Sequence, residues 1–317
     1  MTKNIAVVGC GHWGKNLVRN FFELDALYAV CDPNEEIAKR YADQYSARNE
    51  SFSEVIKNNN IEGVVLAVPA PLHASMATAA MNSGKHVFVE KPLAMNQAEA
   101  DLMIAAARKN NVSLMVGHLL QYHPVFVAVR NMVQSGRIGD LQYLYSNRLS
   151  YGKLRSEENV IWSFAPHDIS MILSLVEQEP NSVKTESAVI LQNDIADAAT
   201  IHIEFPSGIK AHISVSWFHP YKEQKLVVIG NNGMLVFDDT KPWAEKLALY
   251  RHVLDLSQKP PILEKGGLEY IDVSKSEPLR NECLHFIDVV SGNRSPITDG
   301  EEGLRVLRVL TKTSSQM

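Results

Sequence analysis

Cysteine is scarce: Cys10, Cys31 and Cys283 are the three in 317 residues. They lie far apart with no CxxC pair, so neither a disulfide framework nor a cysteine-based zinc site is expected, and no metal is assigned. No apolar run approaches the roughly 18 residues of a membrane span, which excludes an integral helical membrane protein. The opening MTKNIAVV runs straight into a strand pattern. It lacks the longer apolar region and small-residue cleavage site of a secretory signal, so a cytoplasmic location is expected. Positive charge is in deficit too, with 31 Lys and Arg against 36 Asp and Glu for a net charge of −5. No broad basic face is therefore offered to nucleic acid, and an anionic ligand would need local cations. Internal repeats and low-complexity segments are absent. What remains is 45% hydrophobic and 21% charged, the balance of a globular protein with a core.

The length predicts two domains or one large one. Residues 1–120 alternate short β-branched runs with helical windows. Ile5–Val8, Tyr28–Cys31, Val64–Val68, Val87–Val89 and Ser113–Val116 read as strands buried on both faces, with helices at Asn34–Tyr45, His73–Asn82 and Gln97–Asn110 between them. That alternation predicts an α/β fold with a doubly wound parallel sheet. From 121 to 317 the texture becomes α+β. A helix over Pro124–Ser135 precedes strands at Leu141–Ser150, Val183–Gln192, Ala198–Phe205, Lys210–Trp217, Lys225–Gly230 and Met234–Asp238. Turns at Pro206-Ser207-Gly208 and Asn231-Asn232-Gly233 predict antiparallel hairpins. Two closing helices, around Leu279–Ser291 and Gly300–Thr311, are expected, with the last packing back on the first domain.

Gly9-Cys10-Gly11-His12-Trp13-Gly14 is a GxGxxG that follows a strand and opens a helix. The first glycine allows a tight turn, the second lets backbone approach a pyrophosphate, and the third lets the helix pack on the strand. Asp32 ends the second strand, where an acid binds the adenosine ribose diol and repels a 2′-phosphate. The pattern predicts NAD, in preference to NADP, and outweighs a merely structural glycine turn. A methyltransferase on a related sheet is the rival; it would bind S-adenosylmethionine and have no use for the next motif.

That motif is Glu90-Lys91-Pro92, at the carboxyl end of a parallel strand. Taken alone it reads as a solvated strand end. Together with AVVGCGHWG, AVCDPN, VPAPLHASMATAAMNSGKHVFVEKPLA, SGRIGDLQYL, FAPHDISMIL, VVIGNNGMLVFDD and EPLRNECLHFIDVVSGNRSPITDGEEGLRVLRVL, however, it resembles the glucose–fructose oxidoreductase, inositol dehydrogenase and rhizopine-catabolism (Gfo/Idh/MocA) family over nearly the whole chain. The resemblance implies that Lys91 contacts the reacting hydroxyl beside an often cis Lys–Pro bond. It places Pro69 and His73 in a loop beside the cofactor, and counts these two with His12, Trp13, Glu90 and Lys91 among the cofactor-binding residues.

Pro166 fits a first helical position, which would put His167 at the positive end of the helix dipole and keep it neutral as a base. Adjacent Asp168 would push the other way and reads as a dipole complement. His167 then takes the hydroxyl proton while Lys91 stabilises the developing alkoxide; the alternative is a first-turn histidine satisfied by backbone. The family often has Asp where Ser163 stands. Arg148, Tyr151, Lys153 and Arg155 form either a local anion site or a solvated hairpin neutralised by Glu157 and Glu158. The stretch resembles family members that oxidise C3 of UDP-linked N-acetylated sugars or their uronates to a 3-keto sugar for later transamination, in surface-polysaccharide or lipid-sugar biosynthesis. On that analogy the three cations meet diphosphate or carboxylate, and Tyr151 and Trp162 line the sugar pocket; His219, at a strand end, could reach it.

The resulting expectation is a two-domain, homo-oligomeric (dimeric or tetrameric) NAD-dependent dehydrogenase of a UDP-sugar. A free sugar or cyclitol is the nearest rival, with the 148–155 segment dispensable. A dinucleotide sensor is a second, and predicts that Lys91→Ala and His167→Ala leave function intact.

Overall fold

The computed structural model describes residues 4–314 with the exception of Lys153, Glu157 and Leu256. In chain order the elements are β1 (Ile5–Val8), α1 (Gly14–Glu23), β2 (Leu27–Cys31), α2 (Glu35–Tyr45), β3 (Arg48–Asn49), α3 (Phe52–Lys57), β4 (Gly63–Leu66), α4 (His73–Asn82), β5 (His86–Val89), α5 (Gln97–Asn110) and β6 (Leu114–Val116). There follow α6 (Pro124–Gln134), β7 (Leu141–Tyr151), α7 (Val160–Val176), β8 (Ser182–Ala188), β9 (Ala198–Glu204), β10 (Lys210–Ser216), β11 (Phe218–Gly230), β12 (Gly233–Asp238), β13 (Leu247–Asp255), β14 (Ile262–Tyr270), α8 (Pro278–Val290) and α9 (Gly300–Ser314). The chain divides into two compact units, one running to Tyr122 and taking in Glu277–Leu307, the other comprising His123–Ser276 and the residues from Arg308.

In the first unit six strands lie in the order β3-β2-β1-β4-β5-β6, all parallel. Every residue of β1 and β4 is buried, as their unbroken apolar runs require in a sheet covered on both faces. Helices start where asparagine can cap them: the Asn34 side chain accepts from the Glu36 and Ile37 amides, and Asn96 from Glu99. The order reverses at β1 and β4, the switch point at which such sheets leave a crevice beyond the strand ends. α8 belongs to this unit. Its Phe286 meets Phe21 edge-on at 6.3 Å and Phe88 at 5.6 Å.

The second unit carries eight strands in the order β14-β13-β12-β11-β7-β10-β9-β8, antiparallel throughout except that β7 and β10 run parallel. The long crossover through α7, β8 and β9 permits that exception. Both expected hairpins form, β9–β10 and β11–β12. β11 starts earlier than its apolar run suggests, because Phe218 pairs with Tyr151 across an irregularity that takes in Pro220. β13 and β14 add two strands that the periodicity does not announce; every residue of β14 is exposed, so it has no buried face to pattern.

α7 begins at Val160, with the Asn159 side chain accepting from the Ile161 and Trp162 amides, so Pro166 lies inside the helix and not at its first position. A real cap nearly two turns upstream outcompetes proline as the start signal. His167 is therefore well beyond the first turn, where the helix-dipole field that would have kept it neutral has faded.

Candidate active site

The chain leaves β1 through the glycine loop. Gly9 turns with φ +91°, and a Cβ on it would lie 2.4 Å from the Ala67 carbonyl oxygen at the end of β4. A Cβ on Gly14 would lie 1.8 Å from the Gly9 carbonyl oxygen, so α1 starts hard against the turn. A Cβ on Gly11 would meet nothing within 4 Å. Two glycines are thus required by the protein's own packing, while the middle one leaves room for an approaching group. The loop fits a pyrophosphate on these grounds. Gly14→Ala is expected to cost about 3 kcal/mol or more of stability. Gly11→Ala should leave the melting temperature within about 2 °C yet weaken dinucleotide binding about tenfold or more, equivalent to about 1.4 kcal/mol. Thermal melts and NAD titrations of the two variants check the contrast.

Asp32 is fixed at the end of β2 by two backbone donors: the Cys10 amide gives to Oδ2 at 2.7 Å and the Asn34 amide to Oδ1 at 2.9 Å. Its carboxylate is thereby held beside the glycine loop. The thiols nearby are inert. Desolvation first, and the Asp32 charge second, push Cys10 up to about 12 and Cys31 to about 11.

Exposed His12 and Trp13 form the tip of the loop. The Trp13 indole Nε1 donates to Glu90 Oε1 at 2.5 Å, tying the glycine loop to the end of β5. Glu90 Oε2 accepts from the Lys91 amide at 3.3 Å, and a Cβ on Gly117 would stand 2.9 Å from that same oxygen. Burial pushes the Glu90 carboxyl above its ordinary range, against the pull of the Trp13 hydrogen bond and the Lys91 and His118 charges. The Lys91–Pro92 peptide is cis. Pro69 is exposed at the start of the turn before α4, but His73 is buried, with Nδ1 at 2.8 Å from the Pro92 carbonyl oxygen and Nε2 at 2.9 Å from that of Val68. A ring engaged on both sides by backbone has no nitrogen turned to a ligand.

The same unit buries an acid group that the sequence reading passed over. Glu282 on α8 is 1% exposed and neither carboxyl oxygen has a hydrogen-bond partner. Burial, and then the neighbouring Glu90 charge, hold its pKa well above the carboxylate range. His118 and Glu302 are buried as a pair, Nδ1 to Oε2 at 2.5 Å. The signal was present: Leu279, Glu282, Cys283 and Phe286 share one helical face, so an acid sits among core positions.

In the second unit Arg148 grips Asp168 through Nε–Oδ2 at 2.6 Å and Nη2–Oδ1 at 3.2 Å, and the Ser146 hydroxyl donates to Oδ1 at 2.5 Å. Asp168 is fully buried on α7 and serves as the anchor of this pair, not as a dipole complement. Arg155 Nε lies 3.2 Å from Glu158 Oε1. Two of the three cations expected to face an anionic ligand thus have carboxylate partners within their own unit, Arg155 with one of the two glutamates named by the solvated-hairpin alternative; Lys153 lies outside the described residues. Tyr151 is 77% exposed with its ring 6.1 Å from Phe218, and His219 Nδ1 pairs with the Tyr221 carbonyl at 3.0 Å. Half-buried Trp162 and His167 share α7 with buried Ser163, one turn before His167. Among the described residues no cluster of three metal-ligating side chains occurs, and no helix is long and apolar enough to cross a membrane.

A family model described as an oxidoreductase family with an NAD-binding Rossmann fold matches residues 3–118, and a GFO/IDH/MocA C-terminal domain matches residues 126–236. UDP-N-acetylglucosamine 3-dehydrogenase from Acidithiobacillus ferrooxidans is 27% identical over 312 residues, covering 95% of this chain and 93% of that protein. A solved structure of the enzyme of that name from the same organism superposes with a TM-score of 0.87 over 99% of this chain and 97% of that one, at 25% identity. Inositol 2-dehydrogenase from Rhizobium meliloti is 25% identical over 320 residues, 97% of this chain and 94% of that protein. With both halves matched in order, the chain belongs to the Gfo/Idh/MocA family and is an oxidoreductase with a nicotinamide-dinucleotide-binding Rossmann domain.

Proposed function

We propose that this protein is an NAD-dependent dehydrogenase that oxidises a secondary hydroxyl, at C3, of a UDP-linked N-acetylated sugar or its uronate. The observation that carries the substrate is the full-length likeness to a UDP-N-acetylglucosamine 3-dehydrogenase. The glycine loop and the amides opening α1 would hold the pyrophosphate, and Asp32 the adenosine ribose. The bound nicotinamide supplies a hydride acceptor. Lys91 donates a hydrogen bond to the substrate hydroxyl and stabilises negative charge developing on its oxygen. His167 accepts the hydroxyl proton. The protein acts as a homo-oligomer in this reading, which sedimentation velocity measures.

Asp32 sets the cofactor choice. Its carboxylate, held by two amides, accepts from the ribose diol and repels a 2′-phosphate. Asp32→Ala is expected to lower NAD affinity about tenfold to a hundredfold, as loss of a charged hydrogen bond implies, and to narrow the NAD-over-NADP preference. Parallel titrations with the two dinucleotides check it.

The substrate is tested by absorbance at the reduced-nicotinamide band, with NAD and UDP-N-acetylglucosamine, its uronate, inositol or glucose. A rise with only the UDP sugars supports the proposal. A rise with only a free polyol replaces it with the second reading, a free sugar or cyclitol dehydrogenase. That reading is favoured by the pairing of Arg148 with Asp168 and Arg155 with Glu158, which leaves less charge for a diphosphate.

A further inference from the structure

The ladder between β4 and β5 ends where the Glu90 amide donates to the Leu66 carbonyl at 3.0 Å. Beyond that bond the two chains separate. One passes through Ala67, Val68 and Pro69 into α4; the other continues as Glu90, Lys91 and Pro92. Pro92 has no N–H to continue the ladder, so the two departing segments face one another with carbonyls and no donor of that kind between them. His73 stands at the first residue of α4 and supplies it. Its ring, 1% exposed, spans from the Val68 carbonyl oxygen, 2.9 Å from Nε2, to the Pro92 carbonyl oxygen, 2.8 Å from Nδ1.

We propose that His73 is a positioning residue for Lys91: its buried imidazole, wedged between the Val68 and Pro92 carbonyls and donating to one of them, stands where the ladder bond is missing and holds the backbone on the far side of Lys91. The near side is fixed by the Glu90 amide on Leu66, so Lys91 is pinned one residue away on each flank. The bridge joins two acceptors, and a neutral ring can donate to one alone. Hydrogen bonds to the backbone of Pro92, Val68 and Leu93 favour the doubly donating form, but desolvation outweighs them and lowers the pKa of the ring. A substitute must therefore both fill the buried space and reach a carbonyl. The inference rests on the assignment of Lys91 to the reacting hydroxyl for its catalytic consequence, but not for the geometry it describes.

The test compares His73→Gln and His73→Leu with the parent protein by three readouts. The first is the rate at which the Lys91 amine is reductively methylated, read by peptide mass spectrometry on unliganded protein. The second is NAD affinity, and the third the split of kcat from KM with the productive sugar. Loosening of the turn predicts Lys91 methylation changed at least about threefold in both variants. It also predicts kcat lowered about tenfold or more, the scale of a misplaced catalytic group, with NAD affinity kept within about threefold. His73→Gln, which keeps one donor, should lose less than His73→Leu. Unchanged Lys91 methylation overturns the proposal, as does a rise in KM for NAD at constant kcat, which would make His73 a cofactor residue. Changed methylation with unchanged kcat upholds the positioning and counts against Lys91 as the catalytic donor instead. Should His73→Leu fail to fold, His73→Gln decides by the same criteria; if that also fails to fold, His73 is a fold-determining residue and the proposal is overturned.

Discussion

Lys91→Ala is expected to reduce kcat by about two to three orders of magnitude, the range for loss of one hydrogen-bond donor to developing oxyanion charge, with the NAD dissociation constant nearly unchanged. Lys91 stands at the carboxyl end of β5, its amide on Glu90 Oε2 and its successor a proline. The ammonium is thus delivered from rigid backbone and not from a mobile loop. His167→Ala should cost about two to four orders of magnitude, as removal of a general base does. The double variant should fall by several powers of ten, by less than the product of the two, since both groups serve one proton transfer. Steady-state kinetics with circular dichroism as a folding control measure this. A sensor would keep its function with both residues gone.

The largest expected effect on stability comes from Glu282. Its carboxyl is buried without a hydrogen-bond partner and retains its proton far above the usual range, through desolvation first and the Glu90 charge second. Below about pH 4.3, the ordinary glutamate value, the group is protonated folded and unfolded alike, and it does not affect the pH dependence. Above that value the unfolded chain ionises while the folded chain keeps its proton, so folding stability falls by up to about 1.4 kcal/mol per pH unit until the folded pKa is reached. Glu282→Gln removes the titration. The variant should melt higher than the parent protein at pH 8, the gap shrinking as pH falls and vanishing near pH 4. A gap independent of pH, or a variant less stable at pH 8, contradicts the assignment. Burial raises the Glu90 carboxyl as well, and its charge in turn raises that of Glu282.

The first unit was legible because its strands are buried on both faces. Unbroken runs such as Ile5–Val8 and Val64–Val68 point to such strands, and the glycine loop falls between one of them and a helix. The second unit was legible where a turn or alternation marks it, as at Pro206-Ser207-Gly208. It was not legible at β14, where an edge strand with all residues exposed carries no burial signal. Nor could local sequence show that Asn159, not Pro166, starts α7. Both are good start signals, and which wins is decided by the packing of Val160 and Ile161, both fully buried.

In the site, residues defined by backbone were readable and residues defined by partners were not. Gly9, Gly14 and Asp32 follow from strand, turn and helix. Arg148 looked like an available cation because nothing in the sequence indicates that Asp168, twenty residues away, turns inward to meet it. The Trp13–Glu90 bond joins residues 77 apart and had no sequence signal at all. Glu282 did have one, an acid in the apolar stripe of its helix, and that is the kind of local conflict that marks a buried titrating group.

The measurement closest to the central claim is isotope transfer. UDP-N-acetylglucosamine carrying deuterium at C3 is mixed with the protein and NAD, and the nicotinamide product is analysed by mass spectrometry. Oxidation at C3 predicts reduced dinucleotide one mass unit heavier than normal, formed together with a 3-keto sugar. Unlabelled reduced dinucleotide, or none while inositol or glucose is turned over, contradicts the assignment of sugar and carbon.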